Sequence, residues 1–367
     1  MVVVQLLPAL DNGGVERGTV EVANYLAACG HHSIVISAGG RMLVQLSEKV
    51  EHIRLEVGKK SLLTLFLIKK LKRLFIEKKI DVVHARSRLP AWLSYKAIEK
   101  MSDNKPKFIT TIHGLYSVKR YSSIMARGDK VIAVSNTAAK YVVDNYARYL
   151  TSDPFVINRG IEPQEFPYGY EPDVMWLQSW YQKHHQLVGH QLVGHQVVLL
   201  PGRLTSLKGI KELEIWLKSD NNDAKLVLTA DPENDIYAAR LNYWFNEIGV
   251  INRVVWVGLQ SAMAELYAIA NVVVSPSVRP ESFGRTVVES LAVGTPVVGY
   301  NHGGVGEILE NIFPDGKVEL GNKQQLSDKI NKILAHKPKI DNKQVYLLDN
   351  MLSQTVELYQ KTLSGQA

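Results

Sequence analysis

A single cysteine, Cys29, stands in 367 residues, so an intrachain disulfide is excluded and a reducing compartment is the natural setting. No apolar run approaches the ~18 residues that a membrane-spanning helix needs. Met1 to Leu10 is apolar, but no basic segment precedes it and it runs straight into Asp11-Asn-Gly-Gly. It therefore reads as a first strand and not as a signal peptide. Neither G-x-G-x-x-G nor a P-loop string occurs, which leaves a dinucleotide or ATP site unsupported. RNA-recognition signatures are also missing, so nucleic acid is not an expected partner.

What is present is ordinary in amount and uneven in distribution. Apolar content of 46% and charged content of 22% are those of a soluble globular protein. The length allows one large or two ordinary domains. Residues 1–160 carry 25 Lys+Arg against 13 Asp+Glu, and the remainder carries 18 against 23. A basic first half beside an acidic second half implies that the two meet different partners. Short β-rich apolar runs alternate with helical patterns throughout, which predicts a doubly wound α/β protein.

Val2 to Leu7 reads as a strand and Val15 to Ala28 as a helix, joined by Asp11-Asn-Gly-Gly-Val-Glu. Gly13 and Gly14 let the backbone approach a ligand closely, and the helix start adds amides; a tight turn without a ligand is the plain alternative. From Lys59 to Lys79 there are eight basic residues and one acid, Glu77, interleaved with leucines and phenylalanines on a predicted helix over Leu62 to Lys79. Such a helix can lie on an anionic membrane, or pack its apolar side inward and leave solvated lysines outside. Asp81-Val-Val-His-Ala-Arg-Ser-Arg is a strand that ends in polar groups, where open α/β sheets place their sites. Phe108-Ile-Thr-Thr-Ile-His-Gly ends another strand with His113. His185, His190 and His195 stand in a near-perfect local duplication. Histidines five apart fall ~140° apart around a helix and share no face for a metal.

Two strings in the second half carry more. Val197-Val-Leu-Leu-Pro-Gly-Arg-Leu-Thr-Ser-Leu-Lys-Gly209 delivers Arg203 on a glycine turn, with Lys208 expected at a helix start. Two cations there can clamp a pyrophosphate. Asn271 to Ser275 is a buried strand, followed by a loop and a short helix from about Arg285 to Ala292. Glu281 precedes that helix, and Glu289 lies roughly 6–8 Å along its axis at ~1.5 Å per residue. Between them the amides of Gly284, Arg285 and Thr286 favour a phosphate. Two carboxylates that flank an anion site suit a nucleotide sugar, which has hydroxyls at both ends and phosphates between. The alternative is an acidic cap with a solvated glutamate.

The string Ser275-Pro-Ser-Val-Arg-Pro-Glu-Ser-Phe-Gly-Arg-Thr-Val-Val-Glu-Ser-Leu-Ala292 resembles the paired-glutamate signature of the retaining glycosyltransferases of family 4. Further matches, in the family's order, run from the Gly13-Gly14 loop through His113, Arg203 and Lys208 to Gly303-Gly-Val-Gly-Glu307. The resemblance implies two facing Rossmann-like domains, the glycosyltransferase B-type fold: an acceptor-side domain over 1–165, a linker over 166–195 and a nucleotide-sugar domain over 196–343. A helix over about 344–363 would cross back onto the first domain. It implies a retaining hexosyltransferase, with no metal or cofactor, that takes sugar from a nucleoside-diphosphate donor, UDP first, to a glycan or lipid-linked glycan of the bacterial cell envelope, of the lipopolysaccharide type. The acceptor hydroxyl would attack from the face the leaving group departs from, and pass its proton to the departing phosphate oxygen.

In those terms Glu281 and His113 are the catalytic pair, on the donor sugar. Arg203, Lys208, Gly13, Gly14, Gly284, Arg285 and Thr286 hold the donor phosphates, and Glu289 holds the ribose. The sequence has no Asp-x-Asp, as expected where the protein's own cations hold the pyrophosphate. It departs from the family at Arg86, usually a histidine, and at Thr229-Ala-Asp-Pro-Glu-Asn-Asp235, often a glycine-rich turn. The expected location is cytoplasmic, with peripheral contact to the inner face of the plasma membrane through Lys59–Lys79. A hydrolase or epimerase of the same fold, and a non-catalytic basic lipid-binding protein, are the alternatives.

Overall fold

The computed structural model describes residues 1–11, 13–59, 66–188, 195–219 and 224–366. They divide into two units, Met1–Gly160 with Leu348–Ala367, and Ile161–Leu347. Each is built on one parallel sheet. Its central strands are Val-, Ile- and Leu-rich and buried along most of their length, as strands covered on both faces must be.

In unit 1 the strands are β1 (Val2–Leu6), β2 (His32–Ser37), β3 (Glu51–Arg54), β4 (Val82–Ala85), β5 (Lys107–Ile112), β6 (Lys130–Ala133) and β7 (Phe155–Val156). Their order in the sheet is β3-β2-β1-β4-β5-β6-β7. The helices are α1 (Gly14–Ala28), α2 (Leu67–Glu77), α3 (Arg88–Glu99) and α4 (Asn136–Tyr146). Unit 2 holds β8 (Gln196–Leu200), β9 (Ala224–Leu228), β10 (Val254–Trp256), β11 (Val272–Ser275), β12 (Val297–Tyr300) and β13 (Lys317–Val318), in the order β10-β9-β8-β11-β12-β13. Its helices are α5 (Val174–Lys183), α6 (Glu214–Leu217), α7 (Ile236–Glu247), α8 (Met263–Ile269), α9 (Arg285–Val293), α10 (Gly303–Ile312) and α11 (Lys323–Ala335). The last helix, α12 (Leu348–Ser364), belongs to unit 1. The doubly wound α/β expectation is met in both units.

Strand order reverses between β1 and β4 in one sheet and between β8 and β11 in the other. At such a point the loops leaving two adjacent strands diverge and open a crevice at the carboxyl ends, where open α/β sheets bind ligands. In unit 2 the loops there are the two strings singled out above. The C-terminal helix seals unit 1: Met351, Leu352, Val356, Leu358 and Tyr359 share a buried cluster with Val3, Val22, Leu26, Val82, Ile109, Ile132 and Ile157.

Two local expectations change, and a third falls partly outside the described residues. Residues 166–195, read as a linker, belong to unit 2 and include α5, where Asp173 caps the first turn and Trp176 stacks on Trp180 at 5.1 Å. The helix expected over Leu62–Lys79 is described as Leu67–Glu77; residues 60–65, with the expected start, lie outside the described residues, as does His190 of the duplication. Lys208 ends a single 3-10 turn, Ser206–Lys208, and does not open an α-helix, because Gly209 takes φ +68° and breaks the helical path.

Candidate active site

Three loops meet at the carboxyl end of the unit 2 sheet. The first leaves β8 as Pro201-Gly202-Arg203 and closes at Lys208-Gly209. The second leaves β11 and runs from Pro276 to Gly284 into α9. The third leaves β12 as Asn301-His302 and enters α10 at Gly303-Gly304. Backbone bonds join them: Val278 N donates to Leu207 O at 2.9 Å, and Gly304 N to Glu281 O at 2.8 Å. The approach is close enough to demand glycine. A Cβ on Gly209 would stand 1.8 Å from Pro276 O, and one on Gly304 would stand 2.2 Å from Phe283 O. Either contact would push the loops apart.

That convergence brings Lys208 and Glu281 together across 73 residues of sequence. Lys208 Nζ donates to Glu281 Oε1 at 2.9 Å, and Ser277 Oγ donates to the same oxygen at 2.6 Å. His302 Nε2 lies 2.6 Å from Ser277 O. Burial pushes the Glu281 carboxyl up, but Lys208, Ser277 and His302 outweigh it, and its pKa lies below the usual carboxylate value. Glu281 is thus an anion with one oxygen tied twice. Its Oε2 has no hydrogen bond among the described residues, and the side chain is 25% exposed. It is a ready acceptor for a hydroxyl.

Glu289 is held differently. It lies a turn inside α9, nearly buried, where Arg285 Nε donates to Oε1 at 2.7 Å and Tyr267 OH donates to Oε2 at 2.8 Å. Burial first, then the Glu289 charge, raises the Tyr267 pKa well above its ordinary value, so the phenol stays a donor. Each carboxylate oxygen keeps further lone pairs for a ligand. Helix α9 begins at Gly284, φ +118°, which has no side chain to cap the first turn, and no acid stands there. Thr286 and Gly202 lie close: a Cβ on Gly202 would meet the Thr286 methyl at 4.0 Å. Gly202 N donates to Thr229 Oγ1 at 2.8 Å. Arg203 is exposed and makes no hydrogen bond or ion pair among the described residues.

Of the residues singled out in sequence, Arg203, Lys208, Glu281, Gly284, Arg285, Thr286 and Glu289 therefore lie in one unit, around two adjacent strand ends. Gly13, Gly14 and His113 lie in unit 1. Gly14 opens α1, and its carbonyl accepts from Arg159, whose guanidinium packs so closely on Gly18 that a Cβ there would stand 2.1 Å from Nη1. His113 follows β5, and burial, then Arg159 and Arg86, push its pKa well below the ordinary value. The imidazole is neutral. His84 is also neutral, bonded to Tyr359 OH at 2.5 Å and Thr111 Oγ1 at 2.6 Å, so it ties β4 and β5 to α12.

Sequence reading missed Ser277, His302 and Tyr267. Ser277 sits inside a string already singled out, and His302 stands one residue before another. Tyr267 gives no signal, since it stands on a different helix 22 residues before its partner. No group of three or more His, Cys, Asp and Glu side chains with metal-ligand spacing occurs among the described residues.

The family model described as Glycosyltransferase Family 4 matches residues 12–165, and that described as Glycosyl transferases group 1 matches residues 190–346. A glycosyltransferase from Rickettsia africae, known by its crystal structure, is 30% identical with a TM-score of 0.84, over 99% of this chain and 98% of its own. An uncharacterised glycosyltransferase of Methanocaldococcus jannaschii is 31% identical over 219 residues, which are 56% of this chain and 53% of that protein. The chain thus spans about half the length of that curated relative. The Anabaena protein HepE, solved in complex with UDP and glucose, is 20% identical with a TM-score of 0.80, over 98% of this chain and 99% of its own, a likeness of fold.

Proposed function

The chain belongs to the glycosyltransferases of the two-domain B-type fold, and on that premise we propose that it is a retaining, metal-independent transferase. It moves a sugar from UDP to a glycan or lipid-linked glycan acceptor in cell-envelope polysaccharide or lipopolysaccharide synthesis. One observation carries the reading: Lys208 and Glu281 pair at 2.9 Å beside the start of α9, at the reversal point of the unit 2 sheet. Cation, helix start and carboxylate in that order match a phosphate followed by a hydroxyl-bearing ring. UDP is taken as the nucleotide because the Anabaena structure of the same fold holds it.

Lys208 has three N–H donors, so it bridges Glu281 and a donor phosphate without giving up either. Arg203, unengaged among the described residues, grips the pyrophosphate with two parallel bonds. The first amides of α9, at Gly284, Arg285 and Thr286, complete the cradle. Glu281 Oε2 accepts from hydroxyls of the donor sugar. Glu289, held between Arg285 and Tyr267, accepts from the ribose. As the bond from the anomeric carbon to the phosphate oxygen breaks, the acceptor oxygen bonds to that carbon from the same face. Its proton goes to the departing phosphate oxygen. Arg203, Lys208 and the helix start stabilise the charge that develops there.

The test is a UDP-release assay with and without candidate acceptors, with the sugar product identified. UDP release that depends on an acceptor and yields a glycosylated product supports the transferase. Release of free sugar without an acceptor makes the protein a hydrolase of the same fold. A panel of nucleoside diphosphates and their sugars in thermal unfolding identifies the donor, and no stabilisation by any of them overturns the reading.

A further inference from the structure

Unit 1 contains a small cavity lined by Arg86, His113 and Arg159, with Thr111, Thr355 and apolar side chains completing the wall. It measures about 10 Å³, room for about one water-sized atom. Every charged group on its wall is a cation. Arg86 directly follows β4, at the reversal point of the unit 1 sheet, and is 4% exposed. Its Nε and Nη2 both donate to Oε1 of Gln5, the side chain's only hydrogen-bond partner among the described residues. Gln5 is neutral, and its own amide is committed to Thr19 O at 3.1 Å. The acid whose charge reaches Arg86 is Glu21, and that carboxylate already lies 3.0 Å from Arg17 Nε. A guanidinium taken out of water is costly unless an anion answers it, and here a neutral amide stands where a carboxylate would be expected. Among the described residues of the wall, His113 is the only one that is not buried, so the cavity lies nearest the surface at that residue.

We propose that this cavity is an anion subsite that takes one oxygen of a carboxylate or phosphate group carried by a sugar substrate, with Arg86 supplying the charge. The remainder of the sugar lies outside, at His113. The Arg86 guanidinium keeps its charge and has N–H groups left beyond the two on Gln5, so the residue at position 86 selects charged over neutral sugars. The inference deepens the proposed function, since it assumes that the ligand is a sugar of the transfer reaction.

The experiment has two arms, which separate the donor from the acceptor as the source of the anion. In the first, binding of UDP-glucuronate is compared with UDP-glucose by calorimetry. In the second, methyl glucuronide and glucose 6-phosphate are compared with methyl glucoside, all at saturating UDP. The wild type should prefer the charged sugar at least tenfold in one arm. Arg86→His should abolish the preference, and Arg86→Lys, which keeps the cation, should retain part of it. Each variant is first shown to unfold at the wild-type temperature within a few degrees; Arg86→Lys carries the test if Arg86→His does not fold. A wild type with no preference in either arm, or a preference that survives in Arg86→His, overturns the subsite. Binding of UDP itself, measured in the same titrations, reports separately on the proposed function.

Discussion

Glu281 and Glu289 are the same side chain in one short segment, and their surroundings give them different work. Glu281 keeps Oε2 open and a quarter of its surface exposed, while Glu289 is nearly buried with both oxygens bonded. Calorimetry with UDP should separate them. Glu289→Gln should weaken UDP roughly 10-fold, the loss expected for a charge-assisted bond of ~1.5 kcal/mol. Tyr267→Phe should move UDP affinity in the same direction by less, whereas Glu281→Gln should leave it near wild type and lower transfer. Equal losses in the two glutamate variants would contradict the assignment. Arg203→Ala removes one charge-assisted grip on the pyrophosphate, worth ~1.5–3 kcal/mol or roughly 10- to 150-fold in donor use. Wild-type efficiency in a folded Arg203→Ala protein takes Arg203 out of the site. His84 makes a prediction about pH. Its folded pKa is depressed by burial first, then by Arg86 and His113, while the unfolded chain takes up a proton near 6.5. Below that pH the unfolded state binds more protons, so stability falls as pH falls, by up to ~1.4 kcal/mol per pH unit for each such histidine. Thermal unfolding followed from pH 7.5 to 5.5 should show this loss, and His84→Gln should make it shallower. An unchanged slope means that His84 is not the group.

At the scale of the element, α2 shows both faces that its sequence allowed. Ile68, Leu71, Leu74 and Phe75 are buried against unit 1, so the helix has an ordinary structural role. Lys69, Lys70 and Arg73 are exposed beside Phe66 and Ile76, which are 69% and 52% exposed. Lysines mixed with exposed large apolar side chains are what a helix resting on an anionic surface presents. We propose that contact, worth ~1 kcal/mol for each engaged Lys or Arg. The chain should co-sediment with anionic vesicles at low salt and not with neutral ones, and salt should release it. Gln at Lys69, Lys70, Lys72 and Arg73 should cut the bound fraction several-fold. Wild-type protein left in the supernatant with anionic vesicles at low salt would reduce α2 to its packing role.

For the whole molecule, the division of the chain matters most. Unit 2 is contiguous from Ile161 to Leu347 and holds every donor-side residue except Gly13, Gly14 and His113. Unit 1 is discontinuous, and its core needs α12. A fragment of residues 161–347 should therefore fold and bind plain UDP with an affinity near that of the full chain. A chain cut after Leu347 should lose the cooperative unfolding of unit 1, because Val3, Leu26, Val82 and Ile132 lose the helix that covers them. Calorimetric scans and UDP titration of both pieces check this. A soluble, folded 161–347 fragment that does not bind UDP would move the nucleotide site elsewhere.

No helix among the described residues is long and apolar enough to cross a membrane, in line with the lack of long apolar runs in the chain. The alternation of buried β-rich runs with helical segments determined the fold class, because burial on both faces of a parallel strand leaves a continuous apolar stretch that sequence displays directly. The strings at residues 201–209 and 275–289 were legible for a similar reason: a loop at a strand end keeps its glycines, cations and carboxylates within a few residues of one another. Tertiary structure alone decided which of those groups touch. Lys208 meets Glu281, Arg86 meets Gln5 and His84 meets Tyr359 across 73, 81 and 275 residues. Periodicity reports which face of an element is apolar and carries nothing about its neighbours. Strand order and the close approach of loops at Gly209 and Gly304 fix those contacts, and both arise only when the sheets assemble.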